Sequence, residues 1–200
     1  MLLSEQFGPT VGNELKANAV KSILIAAACM LIYIILRFKS WKYGVSSVAG
    51  LAHDVLVILA IYAVFGITIN NPFIAGILTV VGYSINDTIV VFDRIRENRK
   101  LYRKEEVGAI INRSINQTLS RSFMTSLTTL ASMVPLMIMV STSIREFAIP
   151  LMLGVIVGTY SSIFLCSPIL HEFSKNEGKS AYILNREKRA KEAKKLESKQ

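Results

Sequence analysis

Long apolar stretches separated by blocks of charge dominate the pattern of hydrophobic and polar positions along this chain. A helix rises about 1.5 Å per residue, so about 20 apolar residues cross a membrane hydrocarbon core of roughly 30 Å. Stretches of about that length lie at about 17–36, 45–66, 72–92, 122–140 and 147–170. Backbone groups cannot bond to water inside lipid, and the stretches lack the strict alternation of a membrane strand. Each stretch is therefore predicted to be a transmembrane helix.

Composition agrees with that pattern. Apolar residues make up 52% of the 200-residue chain, charged residues make up 18%, and the mean hydropathy is +0.43. A soluble domain of this length normally carries less apolar surface and more charge. The sequence predicts an all-α integral membrane protein with five transmembrane helices.

The lysines and arginines indicate the orientation of these helices. Residues 37–44, residues 94–121 and the part after residue 170 together hold 20 of the 23 basic side chains. Basic loops remain on the cytoplasmic side, so the amino terminus is predicted outside and the carboxyl terminus inside. The net charge of +9 then reflects topology. Nucleic-acid binding is not expected, because no folded basic domain is available to present that charge.

Three segments flank or link the predicted spans. Residues 1–16 are short and polar, carry no signal-peptide pattern, and are predicted to form an external amino-terminal segment. Apolar residues recur at helical spacing over about 97–120, which predicts a cytoplasmic amphipathic helix on the membrane surface. That helix is either a lever between spans or a plain connector that covers helix ends. Residues 171–200 are predicted to form a basic cytoplasmic tail.

Ionisable residues inside the third and fourth spans are candidates for function, because such residues are costly in lipid. Asn86 and Asp87 lie deep in the third span, and Arg121 begins the fourth. A carboxyl group under the opposing effects of burial and a neighbouring arginine can titrate near physiological pH, as a proton carrier must. Arg121 stays charged and would serve as its counter-ion. The residues leave two hypotheses open: protonation of Asp87 releases Arg121 and lets the helices shift, or a static ion pair fixes their packing.

Other polar residues in the spans are secondary candidates. His53 and Asp54 lie in the second span, and Asp93 lies at the inner boundary of the third. The His53–Asp54 pair could suggest the metal ligands of an HD phosphohydrolase, but His171 is the only other histidine, so no metal site is expected. A proton relay or a lock between helices is the better interpretation. The sequence has no P-loop, catalytic triad or cofactor fingerprint, so it predicts neither an enzyme nor a bound cofactor.

Small residues at four-residue spacing indicate where helices approach closely. Gly154 and Gly158 form a GxxxG motif in the fifth span, and Ser122 and Ser126 have the same spacing in the fourth. Residues without bulky side chains let helix backbones pack tightly in membranes. Both pairs are predicted to be packing features.

Four sequence motifs resemble those of the SecF branch of the SecD/SecF family of protein-export membrane subunits. GYSINDTIVVFDRIRENR at Gly82–Arg99 is long and specific. LAHDV at Leu51–Val55, LSRSFMTSLTTL at Leu119–Leu130 and FGPTVGNEL at Phe7–Leu15 are shorter. They occur in the family's order and spacing over about Phe7–Leu170.

This resemblance implies an RND-superfamily membrane bundle and a role as an accessory subunit of the Sec translocon. The implied partners are SecD, the SecYEG channel, YajC, secreted preproteins and membrane lipids, in the cytoplasmic membrane of a bacterium or an archaeon. Family members are thought to use the proton gradient to draw secreted proteins outward. The residues that match Asp87 and Arg121 are linked to proton transport there, and Asn86 adjoins them. The family's proton path also uses a carboxylate of SecD.

A complete SecF has six spans and an external domain between the first two. The chain is therefore expected to be the five-helix carboxyl-terminal part of SecF or of a fused SecD–SecF chain, with residues 1–16 as the end of that external domain. Two alternatives to a proton-driven export subunit remain. One is an RND-type exporter of small molecules or lipids, and the other is a scaffold of the translocon that conducts no protons.

Overall fold

The computed structural model describes residues 9–103, 105–139 and 141–175, and these residues form five long helices. The helices are α1 (Pro9–Phe38), α2 (Trp41–Val64), α3 (Asn71–Leu101), α4 (Val107–Met139) and α5 (Thr142–Lys175). One segment of α5, Ser162–Cys166, is π-helical. The described residues contain no strand. The prediction of an all-α protein is confirmed.

Four of the described helices are long and apolar enough to cross a membrane. They are Ala17–Phe38, Trp41–Val64, Asn71–Leu101 and Thr142–Lys175. These segments coincide with the first, second, third and fifth predicted spans, so the chain has the helices of a multi-pass membrane protein. The helix α4 is not among them. A count of five spans and the orientation of the termini stay predictions.

The predicted amphipathic helix at about 97–120 is wrong in its bounds. The helix α3 continues to Leu101, and α4 runs unbroken from Val107 to Met139 through the boundary expected near residue 121. No glycine or proline stands at that boundary to end a helix. The first part of the apolar stripe that suggested a membrane-surface helix is buried against protein, since Val107 and Ile111 pack in a cluster with Phe92 of α3.

The structure describes only parts of the two flanking segments, and their predicted locations outside and inside the membrane stay predictions. The helix α1 begins at Pro9, so part of the segment expected at 1–16 is helical, and residues 1–8 lie outside the described residues. The last helix continues five residues past the predicted end of the fifth span, to Lys175. Residues 176–200, which make up most of the predicted tail, lie outside the described residues. Helices commonly extend beyond the hydrocarbon boundary, because charged side chains do not prevent helix formation.

Local sequence explains where α3 begins. The side chain of Asn70 accepts a hydrogen bond from the Phe73 backbone N–H at 3.0 Å, and Pro72 stands in the first turn. This is a favourable helix start, because an Asn cap satisfies one of the free N–H groups and proline has none to satisfy. Gly66, with φ of 62°, makes the turn that leads there from α2.

The helix α3 lies at the centre of the bundle and packs against each of the other four helices. Its closest approach is to α5, where a Cβ atom placed on Gly154 would overlap the Val80 side chain. A Cβ on Gly158 would stand 3.0 Å from the Cβ of Ser84. The packing role predicted for the GxxxG motif is confirmed, and it fixes the helix that carries Asp87.

Candidate functional site

Asp87 lies on α3 inside the bundle. It is 7% exposed, and its Oδ2 atom is buried without a hydrogen-bond partner in the described part of the chain. A buried carboxyl oxygen without a partner is costly, and native proteins keep few of them. Stability alone therefore does not account for an aspartate at this position.

Two neighbouring residues of α4 surround this carboxyl. The Arg121 guanidinium and the Ser122 hydroxyl both lie close enough to act on Asp87. Ser122 is buried, and its Oγ, like Asp87 Oδ2, makes no hydrogen bond among the described residues. One carboxyl, one hydroxyl and one permanent cation thus converge between α3 and α4.

The expected ion pair between Asp87 and Arg121 does not form in this structure. Arg121 is exposed, and it lines a cavity of about 430 Å³ together with Asp93, Arg94 and Glu97. The structure brings Asp87 and Arg121 into one site without direct contact. Asn86 is exposed on the surface of α3, although it adjoins Asp87 in sequence. The part of Asp87, Arg121 and Asn86 in proton transport stays a prediction.

A hydrogen-bond network joins α3 to α4 beside this cavity. Arg94 donates to Gln117 Oε1 at 2.7 Å and to Glu97 Oε2 at 2.6 Å. The Asn98 amide donates to Ser114 Oγ and to Gln117 Oε1, both at 2.8 Å. Asn98 is almost fully buried. The network therefore holds α3 and α4 together on the side of the bundle where Arg121 lines the cavity.

Replacing Asn98 with alanine should lower the free energy of unfolding by about 1–3 kcal/mol, because it removes the amide donor to the buried Ser114 hydroxyl and one of the two donors to Gln117 Oε1, which keeps Arg94. Thermal unfolding in detergent measures the loss. Asn116→Ala, at an exposed position of α4, is the matched control and should change little. Equal losses in the two variants would show that the network does not stabilise the bundle.

Asp93 pairs with a residue of another helix. Its Oδ2 atom lies 2.8 Å from Nη2 of Arg37, at the end of α1, and Arg96 donates to the Arg37 carbonyl oxygen at 3.3 Å. Both members of the ion pair are about two-fifths exposed. Asp93 therefore ties α1 to α3 at the surface, away from the buried oxygens of Asp87 and Ser122.

Because the pair is exposed, Arg37→Ala should lower the free energy of unfolding by less than about 1 kcal/mol. The same thermal unfolding assay can detect this, and raising the salt concentration should reduce the difference between the variant and the parent protein. A loss as large as that expected for Asn98→Ala would contradict this account.

His53 and Asp54 are neighbours on α2 that differ in burial but contact each other through their side chains. Asp54 is 0% exposed and accepts a hydrogen bond from Ser84 Oγ of α3 at 2.5 Å. His53 is part-exposed, and its Nδ1 lies 3.2 Å from Asp54 Oδ1. His53 also lines a lateral apolar groove between α2 and α5, which includes Leu56 and Leu165. The described residues hold no group of three or more side chains suited to a metal ion.

Sequence reasoning missed the hydroxyl groups that connect α5 with its neighbours. Thr88 and Ser162 share a hydrogen bond of 2.8 Å, and Ser126 and Thr159 share one of 2.5 Å. Ser84 was also missed, although it contacts the most buried carboxyl in the described structure. One signal was available: Ser84 and Thr88 have the same four-residue spacing as Gly154 and Gly158 on the facing helix.

Comparison with known proteins identifies the family. The family model described as "Protein export membrane protein SecD/SecF, C-terminal" matches residues 2–176. The chain belongs to this family. Membership in the SecD/SecF family agrees with the resemblance that the four motifs carry.

Relatives in the SecD/SecF family cover most of this chain. The protein translocase subunit SecDF of Thermus thermophilus is 47% identical over 170 residues, which are 85% of this chain and 23% of that protein. The protein translocase subunit SecF of Sebaldella termitidis is 45% identical over 172 residues, or 86% of this chain and 56% of that protein.

Solved structures agree. A crystal structure of SecDF from Thermus thermophilus superposes with a TM-score of 0.77 and 46% identity, over 84% of this chain and 23% of that one. A crystal structure of SecDF in a super-membrane-facing form gives a TM-score of 0.74 and 42% identity, over 94% of this chain and 24% of that one. The chain thus spans about half the length of the SecF relative and about a quarter of SecDF.

Proposed function

We propose that this chain is the carboxyl-terminal membrane part of a SecF-type subunit, which uses the proton motive force to promote export of preproteins. In this proposal it acts as an accessory subunit of the Sec translocase, beside SecD and the SecYEG channel, and YajC is a further partner. The names of its relatives, protein translocase subunits SecF and SecDF, support the assignment to protein export. The chain performs no enzymatic reaction in this role.

The observation that carries the proton-driven part of the proposal is the unpaired buried oxygen of Asp87. A carboxyl that is satisfied in one conformation and unsatisfied in another can link proton binding to helix movement. Arg121 lies near enough to act on that carboxyl electrostatically but does not neutralise it by direct contact. Protonation of Asp87 would weaken its attraction for Arg121, so α3 and α4 would favour a different arrangement.

The proposal includes a location and a topology. The chain would lie in the cytoplasmic membrane with five spans, its amino terminus outside and its carboxyl terminus inside. The basic residues near the ends of α1 and α3 support this orientation through the positive-inside rule. The helix α4 has 33 residues, which at about 1.5 Å each exceed the roughly 30 Å of hydrocarbon. The cavity lined by Asp93, Glu97 and Arg121 would then open on the cytoplasmic side.

Reconstituted vesicles test the function. Vesicles that contain SecYEG, SecD and the SecF that carries this chain should export a preprotein several-fold faster when a proton gradient is imposed, and a protonophore should remove that gain. Stimulation that persists without a gradient would instead identify a scaffold. Transport of small molecules or lipids without any change in preprotein export would identify an RND-type exporter. Either of those results would refute the proposal.

A further inference from the structure

A second carboxyl, Asp54 on α2, lies entirely within the helix bundle, and its surroundings differ from those of Asp87. Both of its oxygens have partners: Oδ2 accepts from Ser84 Oγ at 2.5 Å, and Oδ1 lies 3.2 Å from His53 Nδ1. Asp87 Oδ2, in contrast, has none in the described part of the chain. The two buried carboxyls are therefore suited to different tasks.

Ser84 connects Asp54 to the helix that carries Asp87. It precedes Asp87 by three residues, which is less than one turn and about 4.5 Å along the helix axis. Ser84 is also confined from the side of α5, because a Cβ on Gly158 would stand 3.0 Å from the Ser84 Cβ. The depth and rotation of α3 at this level are thus set by α2 on one side and α5 on the other.

The groups around Asp54 include no permanent cation in the described structure. His53 approaches it from α2, Ser84 from α3, and the Cys166 thiol from α5. Arg121, which acts on Asp87, belongs to α4. Asp54 therefore lacks the arrangement of carboxyl and arginine that makes Asp87 a candidate proton carrier.

On the α3 side, the hydrogen bonding of Asp54 leads no further than Ser84, and its other contact is with His53 of its own helix. Thr88, the next hydroxyl on this face of α3, donates to the Ser84 backbone carbonyl at 3.3 Å, not to the Ser84 hydroxyl. It then shares a hydrogen bond of 2.8 Å with Ser162 of α5. A backbone carbonyl does not pass a proton onward, so this chain of contacts is suited to holding helices in place.

We propose that Asp54 is a positioning residue for Asp87: through Ser84 it holds the Asp87 segment of α3 at its depth and rotation, and it acts as a hydrogen-bond acceptor that carries no proton. The proposal rests on the proton-driven function above. It predicts that the shape and hydrogen bonding of residue 54 matter and that its ability to ionise does not.

Two substitutions at one position separate the alternatives. In the complete complex, Asp54→Asn keeps an acceptor oxygen and should retain at least half of the proton uptake. Asp54→Leu has similar bulk and no acceptor, and should reduce uptake at least tenfold. If Asp54→Asn were as inactive as Asp87→Asn, Asp54 would be a carrier and the proposal would be wrong. Full activity of Asp54→Leu would also overturn it.

Ser84→Ala removes the hydrogen bond between Ser84 and Asp54 without altering a carboxyl. It replaces Asp54→Leu as the test if that variant fails to fold. It should lower proton uptake several-fold and shift its pH profile, because Asp87 is held less firmly. The matched control is Ser47→Ala on α2, since the buried Ser47 hydroxyl bonds only to the Tyr43 carbonyl of its own helix, at 2.8 Å. Ser84→Ala and Ser47→Ala behaving alike would overturn the proposal.

A readout that needs no transport keeps the inference separate from the proposed function. The rate at which a membrane-soluble carbodiimide modifies Asp87, followed by mass spectrometry, reports the placement of that carboxyl directly. Asp54→Leu and Ser84→Ala should change the rate at least threefold, and Ser47→Ala and Asp54→Asn should leave it within twofold. Unchanged labelling in Asp54→Leu and Ser84→Ala would refute the positioning role. Absence of proton uptake by the parent complex would refute the function and leave the labelling result to stand.

Discussion

Replacing Asp87 with asparagine should reduce gradient-driven export and proton uptake by the reconstituted complex at least tenfold. Asparagine has nearly the same size and can fill the same buried space beside Ser122, so the bundle should still assemble. Its amide cannot take up and release a proton near neutral pH, so the step that links Arg121 to proton binding is lost. Preprotein translocation and vesicle pH, recorded on the same preparation, measure the two losses together.

Glu172→Gln is the control for Asp87→Asn. Glu172 is an exposed carboxyl near the end of the described part of α5, and it pairs with Lys175 at 3.7 Å. Its substitution removes the same charge at a place far along the chain from α3 and should leave export unchanged. If Asp87→Asn kept half or more of the parent activity while it assembled normally, the chain would be acting without a proton carrier at this position.

Replacing Gly154 with valine should destabilise the bundle by about 3 kcal/mol or more, the upper range for overfilling a packed interior. Its Cβ would overlap the Val80 side chain of α3. The two helices cannot simply separate, because Gly76 of α3 faces Pro150 of α5 at a similarly close approach. Thermal unfolding in detergent and the yield of folded protein both measure the effect.

Gly82→Val is the matched control for this substitution. Gly82 also lies within a transmembrane helix, so valine has the same effect on helix propensity, but a Cβ there meets no other atom within 4 Å. Gly82→Val should therefore cost about 1 kcal/mol at most. Similar losses in the two variants would mean that backbone flexibility, and not the contact between α3 and α5, makes glycine necessary at position 154.

Apolar runs predicted the positions of four helices well and the ends of the helices poorly. Hydropathy indicates where the lipid hydrocarbon ends. A helix instead ends where its backbone hydrogen bonds stop or where a glycine or proline interrupts it. Polar residues after Phe92 therefore continue α3 to Leu101. The same reasoning explains why α4 runs through Arg121 without a break.

The candidate site was predictable in its ionisable members only. Asp87 and Arg121 drew attention because charge is costly in lipid, and the structure places them in one site. The pairing of Asp93 with Arg37 requires that the end of α1 pack beside α3, and no local sequence pattern predicts that packing. Ser84 gave only the weak signal of its four-residue spacing to Thr88, because a hydroxyl in a helix can bond to its own backbone and serines are frequent in membrane helices.

The π-helical turn at Ser162–Cys166 affects which residues of α5 face the other helices. Buried residues follow each other every fourth position along α5, from Gly154 and Gly158 through Ser162 and Cys166 to Leu170. In a regular α-helix a four-residue step overshoots a full turn by about 40°, so such a line would spiral towards the opposite side. The wider turn takes up part of this excess. A single face of α5 can therefore contact both Val80 of α3, at Gly154, and Gly50 of α2, at Cys166.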